Sequence, residues 1–235
     1  MAMAEAIILA QKLRKFYKRG RLLDVGLELV DLAVNSGEFV SVMGPSGSGK
    51  TTLLNLIGAL DKPTAGRVVL DGVDLTTVPE RKLYRVRREK VGFIFQVFHL
   101  VPTLSALENV LLPALPAGKK KYKERAEHLL KLVGLTGMEN KKPNFLSGGE
   151  QQRVAIARSL IMNPPIILAD EPTGNLDSQT GSEIFHLLQD LSKKEGKTVL
   201  IVTHDPRIAK GTGRIIFLKD GRVSEHPSVE LNITF

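Results

Sequence analysis

Phe39-Val40-Ser41-Val42-Met43 runs directly into Gly44-Pro45-Ser46-Gly47-Ser48-Gly49-Lys50-Thr51-Thr52. The first five residues form a short, apolar, strand-like stretch. From Gly44 the chain fits G-x-x-x-x-G-K-[ST]. The stretch Lys50–Leu60 then reads as a helix with Leu53, Ile57 and Leu60, joined by Leu54, on one face. Strand, glycine-rich turn and helix in that order are the context that supports the motif. The reason is geometric. Glycines let the backbone wrap an anion so that consecutive N–H groups point inward, and the helix N-terminus adds a positive field. In such a loop Lys50 reaches the β- and γ-phosphates of a nucleotide, and the Thr51 hydroxyl ligates Mg2+.

A phosphate loop needs a metal-holding carboxylate on a neighbouring strand. Ile166-Ile167-Leu168-Ala169-Asp170 is an apolar strand ending in Asp, and Glu171 follows it. Adjacent carboxylates at a strand end can divide labour: Asp170 orients Mg2+ through water, and Glu171 polarises the attacking water. A second anion site is suggested by Leu146-Ser147-Gly148-Gly149-Glu150, which opens a helix reading from Ser147 to Ile161. Ser147 and Glu150 have capping-box spacing, and the hydroxyl and free helix N–H groups suit an anion.

Outward from these motifs, the first seventy-five residues read as strands, with an Asp71-Gly72 hairpin between Arg67–Leu70 and Val73–Leu75. Tyr122, Ala126, Leu129, Leu130 and Val133 recur at helical spacing, within a segment punctuated by Pro102, Pro113, Pro116 and Pro143. This predicts a small helical subdomain over about residues 98–145, continuing into the helix that starts at Ser147. Beyond it come a buried strand at Pro165–Ala169, a helix carrying Ile184, Leu187, Leu188 and Leu191, a strand at Thr198–Thr203, and a hairpin turning at Asp220-Gly221. Strands alternating with helices predict an α/β fold with a mostly parallel sheet.

In this order the motifs resemble the ATP-binding subunit of an ABC transporter. The phosphate loop Gly44–Thr52 is followed by Gln96 in Phe95-Gln96, the signature Leu146–Glu150, and Asp170-Glu171. Asn175-Leu176-Asp177 and Val202-Thr203-His204-Asp205 complete the set. The resemblance covers about residues 5–224. It implies a P-loop NTPase core with an N-terminal antiparallel β subdomain (about 1–97 and 146–224), the inserted helical subdomain (about 98–145) and a tail at 225–235.

The resemblance also implies site roles. Gly44, Pro45, Ser46, Gly47, Ser48, Gly49, Lys50, Thr51 and Thr52 hold the phosphates of ATP, and Tyr17 stacks on adenine, although Phe16 is adjacent. Gln96 contacts Mg2+ and links the site to the helical subdomain, and His204 contacts the γ-phosphate. Ser147, Gly148, Gly149 and Glu150 act in trans on ATP held by a second subunit, and Asp177 connects the two sites. The expected cofactors are ATP and Mg2+. The expected partners are a second copy, assembled by ATP, and an integral membrane permease. The longer runs Ala169–Asp177 and Phe98–Val110 resemble the branch of lipoprotein-release, macrolide-efflux and cell-division ATPases. Glu150 stands where Gln is frequent and Asn175 where Ala is common; neither change removes a catalytic group, so active hydrolysis is expected.

Composition bounds the alternatives. The 235 residues are 43% hydrophobic, enough for a packed core, with a formal net charge of +8 and no Cys. Without Cys there is no disulfide scaffold and no thiolate zinc site. No apolar run approaches the ~18 residues of a membrane span, and the N-terminal stretch before Ala10 lacks the basic region of a signal peptide. These readings predict a protein peripheral on the inner face of the membrane, bound there through its permease. The basic runs Arg81–Lys90 and Lys119–Lys123 read as solvated helix faces or as contacts to anionic headgroups. No element for sequence-specific nucleic-acid recognition is evident. The competing class is a soluble ATPase of the same design, acting in iron–sulfur assembly or DNA repair.

Overall fold

The computed structural model describes residues 6–19 and 22–224; the N-terminal residues before Ala6 and the tail at 225–235 lie outside it. The chain begins with β1 (Ala6–Arg19), β2 (Leu22–Asn35) and β3 (Phe39–Met43), followed by α1 (Lys50–Ile57). Next come β4 (Ala65–Leu70), β5 (Val73–Asp74), α2 (Glu80–Lys90) and β6 (Val91–Phe95). A helical stretch follows, with α3 (Ala106–Leu111), α4 (Lys123–Leu132) and α5 (Gly148–Leu160). The chain closes with β7 (Ile166–Asp170), α6 (Ser178–Glu195), β8 (Thr198–Val202), α7 (Pro206–Lys210), β9 (Arg214–Lys219) and β10 (Arg222–Ser224).

The ten strands of the described residues lie in the order β5-β4-β1-β2-β10-β9-β3-β8-β7-β6. β9, β3, β8, β7 and β6 run parallel, whereas β2, β1, β4 and β5 pair antiparallel. This is the expected α/β architecture. The two halves meet where β10 pairs parallel with β2 at Arg222↔Leu29.

β3, β7 and β8 are buried on both faces, which is why they read as apolar runs rather than alternating ones. Val40, Val42, Ile166, Leu168, Leu200 and Val202 face one core, shared with α1 and the antiparallel strands. Ile94, Ile167, Ala169, Val199 and Ile201 face the other, under α3, α4, α5 and α6. The sheet therefore holds the loops at its carboxyl edge between two close-packed layers.

The helix predicted over Lys50–Leu60 is shorter than expected. α1 stops at Ile57 with Gly58 as its C-cap, and Ala59 turns the chain with φ +57°. The N–H groups of Leu60 and Asp61 both return to Asn55 O, closing the last turn. Leu60 thus leaves the helical face and is 45% exposed.

Candidate active site

β3 lies between β8 and β9 and delivers the chain into the 44–49 loop at the carboxyl edge of the sheet. Gly49 is the N-cap of α1 with φ +100°, a conformation that favours glycine. No side chain caps this helix, so its leading N–H groups stay available to an anion. Lys50 is buried, and its Nζ donates to Gly44 O (2.8 Å) and Pro45 O (2.9 Å). Burial pushes the ammonium pKa down, against the pull of Glu171 and Asp170. The loop borders a cleft of about 840 Å³, also lined by Tyr17, Thr51, Thr52, Glu171 and His204. That volume falls within the usual range for small-molecule sites. Tyr17 lines the cleft and its neighbour Phe16 does not.

The carboxylates arrive on β7, the second strand from β3. Asp170 closes β7 opposite Val202, and the Glu171 N–H donates to Val202 O (2.9 Å). Glu171 has φ +46°, uncommon for a non-glycine residue, and its Oε2 lies 2.8 Å from His204 Nδ1. Burial raises the Asp170 pKa, opposed by a hydrogen bond with the Thr51 hydroxyl and raised further by Glu171. Lys50, Thr51, Asp170, Glu171 and His204 are thus gathered from three neighbouring parallel strands, at the edge where open α/β sheets bind ligands.

Gln96 lies just beyond β6 and outside the cleft lining. Its Nε2 donates to Asn175 Oδ1 (3.2 Å), and Asn175 Nδ2 donates to Gln96 O (3.0 Å). The amide nitrogen is therefore committed and the amide oxygen is the end left for a cation. Asn175, noted in the sequence only as a departure, is the partner that sets this orientation. Another residue missed by sequence reasoning is Gln152. It is fully buried in α5, and its Nε2 bridges Pro172 O (2.7 Å) and Phe95 O (3.3 Å) beneath the site. Its only signal was a polar residue interrupting a buried helical face.

The residues present suit Mg2+. Thr51, Asp170 and the Gln96 amide offer hard oxygen donors, the set this ion takes. Ser48, expected from the sequence among the phosphate contacts, is instead buried off the cleft lining, with its Oγ without a hydrogen-bond partner. Among the described residues no cluster of three or more His, Asp or Glu residues forms a cage. Mg2+ is ordinarily held this way, by one or two carboxylates completed by substrate phosphates and water.

The signature residues do not join this cleft. Ser147 caps α5, and the capping box is formed as expected, with Ser147 Oγ accepting from Glu150 N (3.3 Å) and Glu150 Oε2 from Ser147 N (2.7 Å). Ser147 and Gly148 are exposed, whereas Gly149 is buried. A Cβ on Gly149 would overlap the Thr180 methyl. Thr180 is itself fixed: Asp177 caps α6 by accepting from Gln179 N (3.1 Å), Thr180 N (3.0 Å) and Thr180 Oγ1 (2.6 Å). The Thr180 bonds chiefly hold the Asp177 pKa below the usual carboxylate range. The absence of a side chain at Gly149 is therefore needed for helix packing irrespective of any ligand. Gly149→Ala is expected to lower stability by about 1–3 kcal/mol through overpacking. Adding Thr180→Ser, which removes the methyl, should restore most of it in thermal melts.

A family model described as ABC transporter matches residues 27–174. The chain is 51% identical over 223 residues to the uncharacterized ABC transporter ATP-binding protein MJ0796 of Methanocaldococcus jannaschii, covering 92% of this chain and 95% of that one. It is 50% identical over 213 residues to the lipoprotein-releasing system ATP-binding protein LolD of Anaeromyxobacter dehalogenans, covering 89% of each. It is 46% identical over 219 residues to the macrolide export ATP-binding/permease protein MacB of Syntrophobacter fumaroxidans, covering 92% of this chain but 31% of that longer one. Among solved structures, a dimer of the MJ0796 cassette in a post-hydrolysis state with ADP and Pi superposes with a TM-score of 0.85 at 50% identity, over 92% of this chain and 96% of that one.

Proposed function

This chain belongs to the ABC transporter family as an ATP-binding subunit that hydrolyses ATP, and from that premise we propose how its residues divide the work. Two copies close on two ATP molecules. Each copy supplies the phosphate loop, Asp170, Glu171 and His204 to one nucleotide, and Ser147 and the α5 N-terminus to the other. The observation that carries this reading is the separation just described: the phosphate loop, Glu171 and His204 share one cleft, and the exposed signature end of α5 lies outside it. One chain thus holds half of each site. Residues 1–97 and 146–224 act as the ATP-binding core, and 98–145 as the helical subdomain.

The chemistry follows from the side chains. Lys50 exchanges its loop carbonyls for the β- and γ-phosphates, which its short reach and charge favour. Glu171 takes a proton from water as the water oxygen bonds to the γ-phosphorus and the bond to the β-phosphate oxygen breaks. The proton leaves with the phosphate. His204, whose Nδ1 lies 2.8 Å from Glu171 Oε2, contacts the γ-phosphate. Mg2+, held by Thr51, by Gln96 and by Asp170 through water, would supply charge neutralisation on the phosphates. Asp177, through Thr180, connects the base of one signature to the loop that carries Glu171, and this couples the two sites.

The partner in this reading is an integral membrane permease, and the complex works as an exporter or force transmitter with this subunit on the cytoplasmic face. MacB joins an ATP-binding part and a permease under one name, and no helix of the described residues is long and apolar enough to cross a membrane. A groove between α2, β6 and α5 is lined by Leu60, Tyr84, Phe93, Phe95, Pro113 and Pro116, with Arg87 and Arg158 also on its wall. Because Phe95 precedes Gln96, a permease segment of apolar and acidic residues seated there would touch the strand that carries the cation-facing amide.

Leu60→Glu is expected to reduce permease recovery at least about tenfold when the tagged subunit is purified from solubilised membranes. As a surface change it should shift unfolding by less than about 0.5 kcal/mol. Recovery of soluble partners alone by the unmodified chain would replace the permease reading with that of a non-transport ATPase.

A further inference from the structure

Resting on the ATP-binding reading above, we propose that Lys15 and Asp61 are positioning residues that hold the Tyr17 ring ready as a stacking platform for the purine base. Lys15 and Tyr17 are two apart on β1 and share one strand face. Lys15 Nζ sits 4.9 Å from the centre of the Tyr17 ring and donates to Asp61 Oδ1 (2.7 Å) and Lys62 O (2.7 Å). The Tyr17 hydroxyl donates to the other oxygen of the same carboxylate, Asp61 Oδ2 (3.1 Å). One carboxylate therefore binds the cation and the phenol together.

The ring is fixed on its other sides as well. Thr52, at the start of α1, lines the cleft together with Tyr17. Gly26 on β2 lets the ring edge lie against the backbone, since a Cβ there would come within 2.8 Å of Tyr17 Cε2. Lys15 is 13% exposed and does not line the cleft, whereas Tyr17 does. The cation thus backs the ring from the side away from the cleft and leaves the opposite face to a ligand.

Electrostatics keep the cluster in these protonation states. Burial raises the Asp61 pKa, but the bonds from Lys15, the Lys62 N–H and Tyr17 outweigh it, so Asp61 ionises below the ordinary range. Burial, aided by Asp61, pushes the Tyr17 phenol up, so it stays a neutral donor.

A ring already held in place spares a bound base the loss of rotamer freedom, a factor of about 2–12 in affinity, and the cation–π contact adds to the rigidity. Stacking reads the face of a base rather than its edge, so this device serves ATP and GTP alike and does nothing for a bare phosphate chain.

The test is calorimetric binding of ATP, GTP and inorganic tripolyphosphate to the full chain. Lys15→Met and the isosteric Asp61→Asn are each expected to weaken ATP and GTP by about 3- to 20-fold while leaving tripolyphosphate unchanged. Lys15→Arg, which keeps the cation and its donors, should recover most of the loss. The sequence has three Tyr and no Trp, so in a Tyr84→Phe, Tyr122→Phe background the tyrosine emission comes from Tyr17 alone. Its quenching by ATP should shrink in Lys15→Met. ATP affinity unchanged in both Lys15→Met and Asp61→Asn, equal weakening of tripolyphosphate, or no recovery with Lys15→Arg would each overturn the proposal. An unmodified chain that binds tripolyphosphate and ATP equally would remove the base platform itself, and one that binds neither would remove the ATP reading.

Discussion

In the Glu171→Gln protein, ATP turnover is expected to fall by about 10²–10⁴-fold, the usual worth of a general base, while ATP binding persists. Glu171 Oε2 lies 2.8 Å from His204 Nδ1, and the isosteric amide keeps the same shape beside the ring. The backbone at φ +46° is set by bonds that do not involve the side chain: Glu171 N to Val202 O and Gly174 N to Glu171 O. What the variant loses is the ability to take a proton from water. If hydrolysis is the step that separates two copies joined by ATP, its arrest traps them together. Gel filtration in Mg-ATP should then show a dimer, reverting to monomer when nucleotide is removed. A chain that stays monomeric at saturating ATP would contradict the division of the site between two copies.

Lys50→Ala should act one step earlier. The buried ammonium is the group that exchanges two loop carbonyls for two phosphates, and each charge-assisted hydrogen bond is worth about 1.5–3 kcal/mol. Two such bonds correspond to a loss of about 10²–10⁴-fold in ATP affinity. Nucleotide retention on a desalting column should disappear, along with the ATP-dependent rise in melting temperature. The fold itself should tolerate the change. Burial depresses the Lys50 pKa, so wherever pH lies below that lowered value, carrying the charge disfavours the folded state. Its removal offsets the two lost loop hydrogen bonds. An Ala variant with unchanged ATP affinity would show that Lys50 serves only to brace the loop.

Much of this site was legible because its signals are local. The phosphate loop, the Asp170-Glu171 strand end, the Asp71-Gly72 and Asp220-Gly221 turns and the Ser147–Glu150 capping box each depend on residues a few positions apart. What stayed hidden depends on contacts between distant segments. Gln96 and Asn175 are 79 residues apart, and Tyr17 and Asp61 are 44 apart; no periodicity encodes either pair. The same limit explains Leu60. Its spacing from Leu53 and Ile57 matches a helical face, but two N–H groups returning to Asn55 end the helix first, and an assumed core residue becomes part of a groove. Gly149 shows a further limit: a glycine inside a binding motif reads as a ligand contact, while its neighbour Thr180 gives a packing reason for it.

The join between the two half-sheets has a mechanical meaning. Tyr17 stands on the antiparallel half and Lys50 follows a strand of the parallel half, while the backbone pairing between the halves narrows to Arg222 against Leu29. On the reading proposed above, a nucleotide gripped at its base by one and at its phosphates by the other is a strut across that seam. The halves already share one hydrophobic core through α1, so such a strut would add to a frame that is joined without it.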